Sequence, residues 1–528
     1  MAPEVSFNLL AEPWIPIRDI AGASRDVGVR EALLDAHNIG DVQCESPLST
    51  VGVLRVLLAI LYRACGPPGT DGWAELWESR RFPERHISAY LERWGDRFDL
   101  YSLTHPFMQI PDFNMTKAGS VAQLAAEAAS GNNPTLFDHT LDDAPPVWTA
   151  AEAARWLLAS QSFALGFGKA GGATVCGSEM PRPYFADAIC LRGVTLWLAG
   201  DSLFETLTLN LVPVSRAGSG APAWERDSAL ATLDEVKGKE RITLPAEGPA
   251  DRYAWLSRMI RLMPEPDGAV SRAYFTQGRE ADKRRGDPMK AFAQGKEEGE
   301  YALGLSAGRA SWRDLASYLA FGELRCPIVD HAGSQVYADV LPRTKTFRLN
   351  VVGLATESGK AGKFLLWRHD RVSLPSGILE DRNAVEQLRI ALGDAEFVGR
   401  ELNHRVRDVV KRFLPPEGNP DPDDVDRLSA AIDPRPAYWA RLEPHFSRLV
   451  FDLPVRASSA VETWRGQVEA EARKAFREAA YRLGTTGRAL RAVARIYTVF
   501  VANEAEVAAQ RAAAKERKAA KGKGGKKE

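Results

Sequence analysis

The residues with the clearest chemical potential form a glycine-rich stretch, Gly166-Phe167-Gly168-Lys169-Ala170-Gly171-Gly172. Four glycines in seven residues let the backbone approach another backbone or a groove closely, because no Cβ stands in the way. The stretch does not match the phosphate-binding pattern G-x-x-x-x-G-K-[ST], and it follows a predicted helix rather than the strand that a dinucleotide site requires. It therefore indicates either close backbone contact with a ligand or a flexible connection.

Two further groups of basic residues could contact phosphates. The loop Ser358-Gly359-Lys360-Ala361-Gly362-Lys363 could hold a phosphate or probe a duplex, although a solvated turn has the same composition. Arg488, Arg491 and Arg495 recur at spacings of three and four, which places them on one face of a predicted helix. Such a row could follow a nucleic-acid backbone, or it could be a solvated helix face.

Candidate catalytic residues are few. Arg368-His369-Asp370 contains the His-Asp pair that some metal phosphohydrolases use, but further ligands are not evident in the sequence. The eight histidines show neither H-x-x-x-H nor H-E-x-x-H spacing. The five cysteines are far apart, without a C-x-x-C pair, which favours free thiols in a reducing cytoplasm. The sequence predicts a protein without metal or cofactor that is not an enzyme.

Charge is distributed unevenly along the 528 residues. The segment 511–528 carries a local charge of +6, which leaves −7 on the other 510 residues. A mildly acidic body attracts nucleic acid only through local basic patches.

The longest apolar stretch, Val51 to Cys65, contains Gly52 and Arg55 and is shorter than the roughly 20 residues of a membrane span. No membrane partner is therefore expected.

The elements that must position these residues change in character along the chain. A short apolar run followed by Pro13-Trp14-Ile15-Pro16 suggests an edge strand, and Ser49 or Thr50 could begin the next helix. Thr149 and Glu152 form a capping box at the start of the helix that leads into the glycines. Ile189 to Leu198 alternates like a strand pair turned at Arg192-Gly193, and Arg272 to Gln277 also predicts a strand. Strand patterns almost vanish after about residue 378, where long amphipathic helices begin.

The predicted fold class is α+β, mostly α. It comprises a mixed N-terminal globular body, residues 1–377, followed by a C-terminal four-helix bundle, residues 378–509. The basic segment 510–528 is predicted to be a disordered tail.

Several segments, taken in order, resemble the CasA family, the large subunit of the type I-E CRISPR complex Cascade. The segments that carry this resemblance are Asn8 to Pro16, Val29 to His37, His105 to Gln109, Asn133 to His139 and the helix leading into Gly166 to Gly172. The helical C-terminal region also fits, and together with the five segments it extends the resemblance over most of the chain.

The resemblance implies a non-catalytic subunit of an RNA-guided antiviral complex. Such a subunit recognises the protospacer-adjacent motif (PAM) in double-stranded DNA, helps to start R-loop formation, and recruits a separate helicase–nuclease. The implied partners are the guide crRNA, the target duplex with its displaced strand, and the backbone, handle-binding, small and guide-processing subunits of Cascade.

The resemblance also assigns roles to residues of this chain. The stretch Gly166 to Gly172 corresponds to a glycine loop that enters the minor groove. A basic finger corresponds to Arg272, Arg279 or Lys283, and a wedge that parts the first base pairs falls at Ser358 to Lys363. The family has a glutamine in that wedge, whereas this chain has none, so Lys360 or Lys363 would act there.

A docking loop for the guide-RNA handle corresponds to Asn132, Asn133, Thr135, Leu136 and Phe137, with Phe137 as an aromatic anchor. The row of Arg488, Arg491 and Arg495 would hold the displaced strand. A metal-like cysteine cluster that some members carry has no counterpart here. Two alternatives stay open: a scaffold subunit that does not read the PAM, and a metal-dependent nuclease centred on His369 and Asp370.

Overall fold

The structure is a computed structural model that describes residues 5–67, 69–128, 144–166, 168, 171–180, 184–226, 243–282, 286–295, 299–356, 364–415 and 419–497. The chain divides into two compact units, Met1–Arg382 and Asn383–Glu528. The first unit mixes helices with small sheets, and the second is a long C-terminal helical region.

The helices of the first unit, as far as it is described, are α1 (Val29–Leu34), α2 (Pro47–Ala64), α3 (Thr70–Ser79), α4 (Glu84–Trp94), α5 (Ala150–Phe163), α6 (Leu203–Leu209), α7 (Pro249–Tyr253), α8 (Leu315–Tyr318) and α9 (Pro327–Tyr337). The strands are β1 (Ile15–Asp19), β2 (Ser24–Val27), β3 (Ile39–Val42), β4 (Phe113–Met115), β5 (Gly119–Ser120), β6 (Ala173–Val175), β7 (Ser178–Glu179), β8 (Thr195–Ala199), β9 (Thr243–Leu244), β10 (Arg258–Pro264), β11 (Val270–Gln277), β12 (Glu280–Ala281), β13 (Phe292–Gln294), β14 (Glu300–Ala302), β15 (Thr346–Thr356) and β16 (Phe364–Pro375).

These strands form several small sheets rather than one large one. The three-stranded sheets have the orders β2-β1-β3, β10-β11-β5, β16-β15-β8 and β4-β6-β7. The predicted strand at Arg272 to Gln277 is confirmed, since it lies within β11. Two other strand predictions are wrong in part. The N-terminal strand is only Ile15–Asp19 and is central rather than an edge, and Ile189 to Leu198 yields one strand, β8, instead of a pair.

Helix α2 forms the centre of the first unit. It begins after Ser46, whose hydroxyl accepts the Leu48 amide at 3.3 Å, so the predicted start at Ser49 or Thr50 is wrong. Gly52 permits α5 to pack closely, because a Cβ there would lie 2.8 Å from the Cβ of Leu158. The helix is long and apolar enough to cross a membrane, but 89% of it is buried inside the structure. That burial is typical of a core helix.

A buried ion pair fixes α2 to a distant part of the chain. Arg55 Nη1 lies 2.9 Å from Asp287 Oδ2, and Nη2 donates to the carbonyl of Arg252 at 2.9 Å. Both charged side chains are at most 2% exposed. Burial acts to raise the pKa of Asp287, but the charges of Arg55 and its cationic neighbours outweigh it and hold that pKa below its ordinary value.

The second unit consists of helices in its described part. They are α10 (Arg382–Phe413, which starts at the last residue of the first unit), α11 (Pro422–Ala431), α12 (Arg435–Tyr481) and α13, helical from residue 487 to residue 497. Helices α10 and α12 pack through buried aromatic side chains: the Tyr438 hydroxyl donates to the Ala395 carbonyl and the Trp464 indole N–H to the Ala391 carbonyl, both at 2.9 Å. A non-helical residue, Arg456, kinks α12 two residues after Pro454.

The buried pair predicts a large loss of stability when one partner is removed. In Asp287→Ala, Arg55 keeps its charge in the core without the carboxylate. We expect the free energy of unfolding to fall by about 3–5 kcal/mol. The measurement is the urea unfolding midpoint of the purified chain, monitored by circular dichroism.

A matched control is Glu31→Ala, which breaks the exposed ion pair of Glu31 with Arg25. Exposed ion pairs contribute about 0–1 kcal/mol to stability. The urea unfolding midpoint of Glu31→Ala should therefore change little. Equal shifts in the two variants would contradict the assignment of Arg55 and Asp287 as a central core interaction.

Candidate nucleic-acid interface

The glycine loop leaves the C-terminal end of α5. The capping box predicted for this helix is confirmed, since Thr149 and Glu152 exchange side-chain and backbone hydrogen bonds at 3.2 and 2.8 Å. At the first glycine, the Gly166 amide donates to Asp187 Oδ1 at 3.0 Å, and a Cβ there would lie only 2.7 Å from the Asp187 amide nitrogen. Packing therefore requires a glycine at the start of the loop.

The middle of the loop is open where it is described. Gly168 has φ +61°, its carbonyl accepts the Phe185 amide at 3.1 Å, and a Cβ on it would meet no atom within 4 Å. Gly171 is exposed. A Cβ added to it would lie 3.1 Å from the nearest atom, the terminal methyl carbon of the flexible Met115 side chain. Phe167, Lys169 and Ala170 lie outside the described residues. Of the described loop residues, Gly168 therefore has open space at the position of a side chain, and Gly171 is exposed.

A buried arginine joins the residues that precede the loop to Ala186, which lies beyond strands β6 and β7. Arg258 is fully buried, and its Nη2 donates to the carbonyls of Ala164 and Leu165 before the loop and of Ala186 after it, at 3.2, 3.0 and 2.6 Å. The guanidinium also lies over the neighbouring rings of Phe185 and Phe275, at 5.3 and 5.8 Å from their centroids. Three carbonyls and two aromatic rings therefore fix the base of the loop.

Two buried glutamines hold Arg258 in turn. Gln161 on α5 accepts the Arg258 amide and donates to its carbonyl, both at 2.9 Å. The Gln277 side-chain oxygen accepts the Ala186 amide at 2.7 Å and Arg258 Nη1 at 3.3 Å. These bonds hold the chain in place immediately before the loop, and such pre-organisation lowers the entropic cost of binding. Sequence reasoning missed Arg258, Gln161 and Gln277.

The three candidates for the basic finger differ in their surroundings. Arg272 is half-buried on β11, where it pairs in register with Met263 and Ser120. Arg279 is buried, lies 3.2 Å from Asp251 and stacks 3.8 Å above the ring of Trp255. Arg279 therefore belongs to the internal packing rather than to an exposed finger. Lys283 lies outside the described residues.

The wedge and docking loops, Ser358 to Lys363 and Asn132 to Phe137, also lie outside the described residues. The antiparallel strands β15 and β16 flank the predicted wedge loop, and Leu365 and Trp367 on β16 are 51% and 36% exposed. The Trp367 side chain is hydrogen-bonded to Glu127, which precedes the docking loop, and burial raises the pKa of Glu127 to about 7. One hydrogen bond thus connects the flanks of the two predicted loops.

His369 and Asp370 make separate structural contacts. His369 Nε2 lies 2.8 Å from Asn350 Oδ1 and its ring packs 5.2 Å from that of Trp197, whereas Asp370 accepts the Ser311 amide at 2.8 Å. Burial lowers the pKa of His369 to about 4. Consecutive residues of a strand point to opposite faces, so this arrangement does not build one catalytic site from the pair.

The sequence Gly304–Gly308 matches the pattern G-x-S-x-G, with Ser306 at its centre. A nucleophile elbow needs a sharp turn from a strand into a helix. Ser306 instead lies exposed in a loop between β14 and a short 3-10 turn, Ser311–Asp314. Its position does not favour a hydrolase site.

The predicted arginine row is present on α13. Arg488, Arg491 and Arg495 are exposed and line one cleft of about 410 Å³. Arg412, near the end of α10, completes its lining together with Ala492. No sequence pattern pointed to Arg412, because it is remote from the row along the chain.

A mixed α/β unit with a glycine loop of fixed base, followed by a long helical region, agrees with the fold class that the resemblance implied. A family model described as CRISPR-associated protein Cse1 matches residues 8–483, so the chain belongs to that family. The resemblance to CasA is thereby confirmed.

Individual relatives agree with this family. The CRISPR-associated protein CasA/Cse1 of Thermus thermophilus is 33% identical over 500 residues, which cover 92% of this chain and 95% of the relative. A crystal structure of Thermus thermophilus CasA is similar with a TM-score of 0.78 at 30% identity, covering 94% of this chain and 98% of that one. A chain from a structure named CRISPR RNA-guided surveillance complex shares the fold, with a TM-score of 0.73 at 22% identity and 94% and 99% coverage.

The packing at Gly166 and Gly171 predicts unequal effects of the same substitution. Gly166→Ala places a Cβ against the backbone at Asp187, which must shift, so we expect a loss of roughly 1–3 kcal/mol. Gly171→Ala meets only the flexible end of Met115 and should cost much less. The melting temperatures of the two variants provide the comparison, and a larger drop for Gly171→Ala would contradict the described base of the loop.

Proposed function

We propose that this protein is the large subunit of an RNA-guided antiviral complex of the type I-E Cascade kind, and that it reads the PAM in double-stranded DNA through its glycine loop. The observation that carries this proposal is the open backbone at Gly168 and Gly171, held by a base that Arg258 fixes. Family membership supports it, as does the likeness in fold to a chain of an RNA-guided surveillance complex.

The minor groove suits a loop of this composition. It is about 6 Å wide and presents a degenerate pattern that separates A·T from G·C but little else. A backbone without side chains can enter such a groove, and its amide and carbonyl groups can bond to base edges. Since Gly168 has open space at the position of a Cβ, the loop has room to receive a ligand there. A permissive reading of a short motif follows from this chemistry.

The remaining predicted elements have distinct roles in the proposal. Asn132, Asn133, Thr135, Leu136 and Phe137 dock on the handle of the guide crRNA, and Arg272 is the described candidate that best suits the basic finger. The loop Ser358 to Lys363 at the end of the β15–β16 hairpin parts the first base pairs, at a cost of about 1–2 kcal/mol per step before guide pairing compensates. The C-terminal helical region acts as a four-helix bundle whose arginine row holds the displaced strand.

The acidic body fits a protein that works within an assembly. A charge of −7 outside residues 511–528 opposes general adhesion to DNA, so specific contact depends on placement by the guide RNA and by the other subunits. In this proposal the chain has no catalytic centre, and it recruits a separate helicase–nuclease once the target is unwound.

The proposal predicts that the chain supplies both binding and motif choice. A guide-loaded complex with and without the chain is incubated with matched duplexes that carry randomised bases beside the target, and bound DNA is separated by gel shift and sequenced. We expect a short enriched motif only when the chain is present. Unchanged binding and unchanged motif without the chain would make it a scaffold subunit.

A substitution in the loop separates motif reading from assembly. Gly168→Leu fills the open space with a side chain and strains a positive φ, so we expect motif enrichment to disappear while the complex still assembles on size-exclusion chromatography. The control is Gly22→Leu, which imposes similar strain at φ +96° on the turn between β1 and β2. If both variants retained the motif, the glycine loop would not be the reader.

A further inference from the structure

Arginines from two helices of the C-terminal unit converge on one cleft. Arg488, Arg491 and Arg495 on α13 line it together with Arg412, which lies near the C-terminal end of α10. All four side chains are exposed, and the cleft has a volume of about 410 Å³. The remaining lining residue is Ala492, so the walls are made almost wholly of guanidinium groups and their stems.

The packing of α13 fixes the direction of the row. Ala489, Ala492 and Ile496 are buried at spacings of three and four, and each arginine immediately precedes one of them. The Thr486 hydroxyl accepts the Ala489 amide at 3.3 Å at the start of the helix. Tyr497 packs on Phe476 of α12 with ring centroids 5.7 Å apart. The arginines therefore lie beside the anchored face of the helix, and the packing of that face fixes their direction toward the cleft.

This arrangement is electrostatically unfavourable without a ligand. Arg488 lies in the first turn of α13, where the helix dipole disfavours a cation, and like charges three or four residues apart repel. Among the described residues, Arg412, Arg488 and Arg491 form no ion pair, whereas other arginines of the unit pair with acids, for example Arg427 with Asp424 and Arg441 with Glu478. Arg412, Arg488 and Arg491 are therefore available to bind an anion.

The lining distinguishes between kinds of anion. An arginine guanidinium group can donate two parallel hydrogen bonds to the oxygens of one phosphate. A peptide partner would be expected to place apolar anchors in a cleft, but this cleft offers only one buried alanine. A nucleic-acid backbone needs nothing beyond the positive charges.

We propose that Arg412, Arg488, Arg491 and Arg495 form a phosphate-binding cleft for a short stretch of single-stranded nucleic acid, independent of its sequence. Arg412 is the new member, and it converts a row on one helix into a site with two walls. Identification of this strand with the displaced strand of the target rests on the proposed function, whereas the cleft itself does not.

The test uses the full-length chain and a fluorescein-labelled single-stranded DNA of mixed sequence, with binding followed by fluorescence anisotropy over a salt series. We expect Arg412→Ala and Arg491→Ala each to weaken binding roughly fivefold, and each to reduce the slope of log K against log[salt] by about 0.7 for every phosphate that is no longer neutralised. The basic segment 511–528 contributes equally to all variants, so the differences report on the cleft.

The matched control is Arg400→Ala, which removes an exposed arginine of α10 outside the cleft. The proposal is overturned if Arg412→Ala behaves like Arg400→Ala, or if the unaltered chain does not bind the strand at low salt. Tighter, cleft-dependent binding of a labelled Asp/Glu peptide would overturn it in favour of an acidic protein partner. Arg412→Ala and Arg491→Ala should not change motif enrichment by the assembled complex. Failure of the proposed PAM reading is detected by a different variant, Gly168→Leu, so the two failures can be distinguished.

Discussion

The candidate interface depends on the hydrogen bonds of one buried guanidinium. Arg258 gathers carbonyls from residues that precede the glycine loop and from one that follows it. A charge without solvent is tolerated only where its donors are satisfied, so each carbonyl is held to one position. Because the base of the loop is determined in this way, its glycines can remain open without making the loop disordered at its ends. Removal of Arg258 would release the residues before the loop and Ala186 together.

Positive charge in the described structure serves two opposite purposes. Arg55, Arg258 and Arg279 are buried with carboxylate, carbonyl or aromatic partners, and they hold the first unit together. The arginines of the C-terminal cleft are exposed and repel one another. The first kind stabilises the fold, whereas the second kind lies where a ligand can reach it. Both kinds are arginines, so residue type does not distinguish them. Burial and neighbouring groups do.

Features with a local cause could be predicted from the sequence. The capping box of Thr149 and Glu152, the glycine loop after α5 and the long C-terminal helices all depend on residues within a few positions of each other. The role of Arg258 could not be predicted, since its acceptors are backbone carbonyls 72 to 94 residues away that any residue type would supply. Arg279 was misjudged for the same reason: burial beside Trp255 and Asp251 is a property of the folded chain. The predicted start of α2 was wrong because apolar residues lie on every side of this helix, so its sequence has no amphipathic pattern that would show where the helix begins.

The ion pair of Arg55 and Asp287 also constrains how the protein is made. Its partners are separated by 232 residues, and α2, which carries Arg55, is packed at the centre of the first unit. During synthesis the chain emerges from its N-terminus, so α2 is complete long before Asp287 leaves the ribosome. Until then, final packing of α2 would bury an uncompensated charge. The first unit therefore completes its core only after more than half of the chain has been synthesised, and its apolar central helix has to be shielded until then.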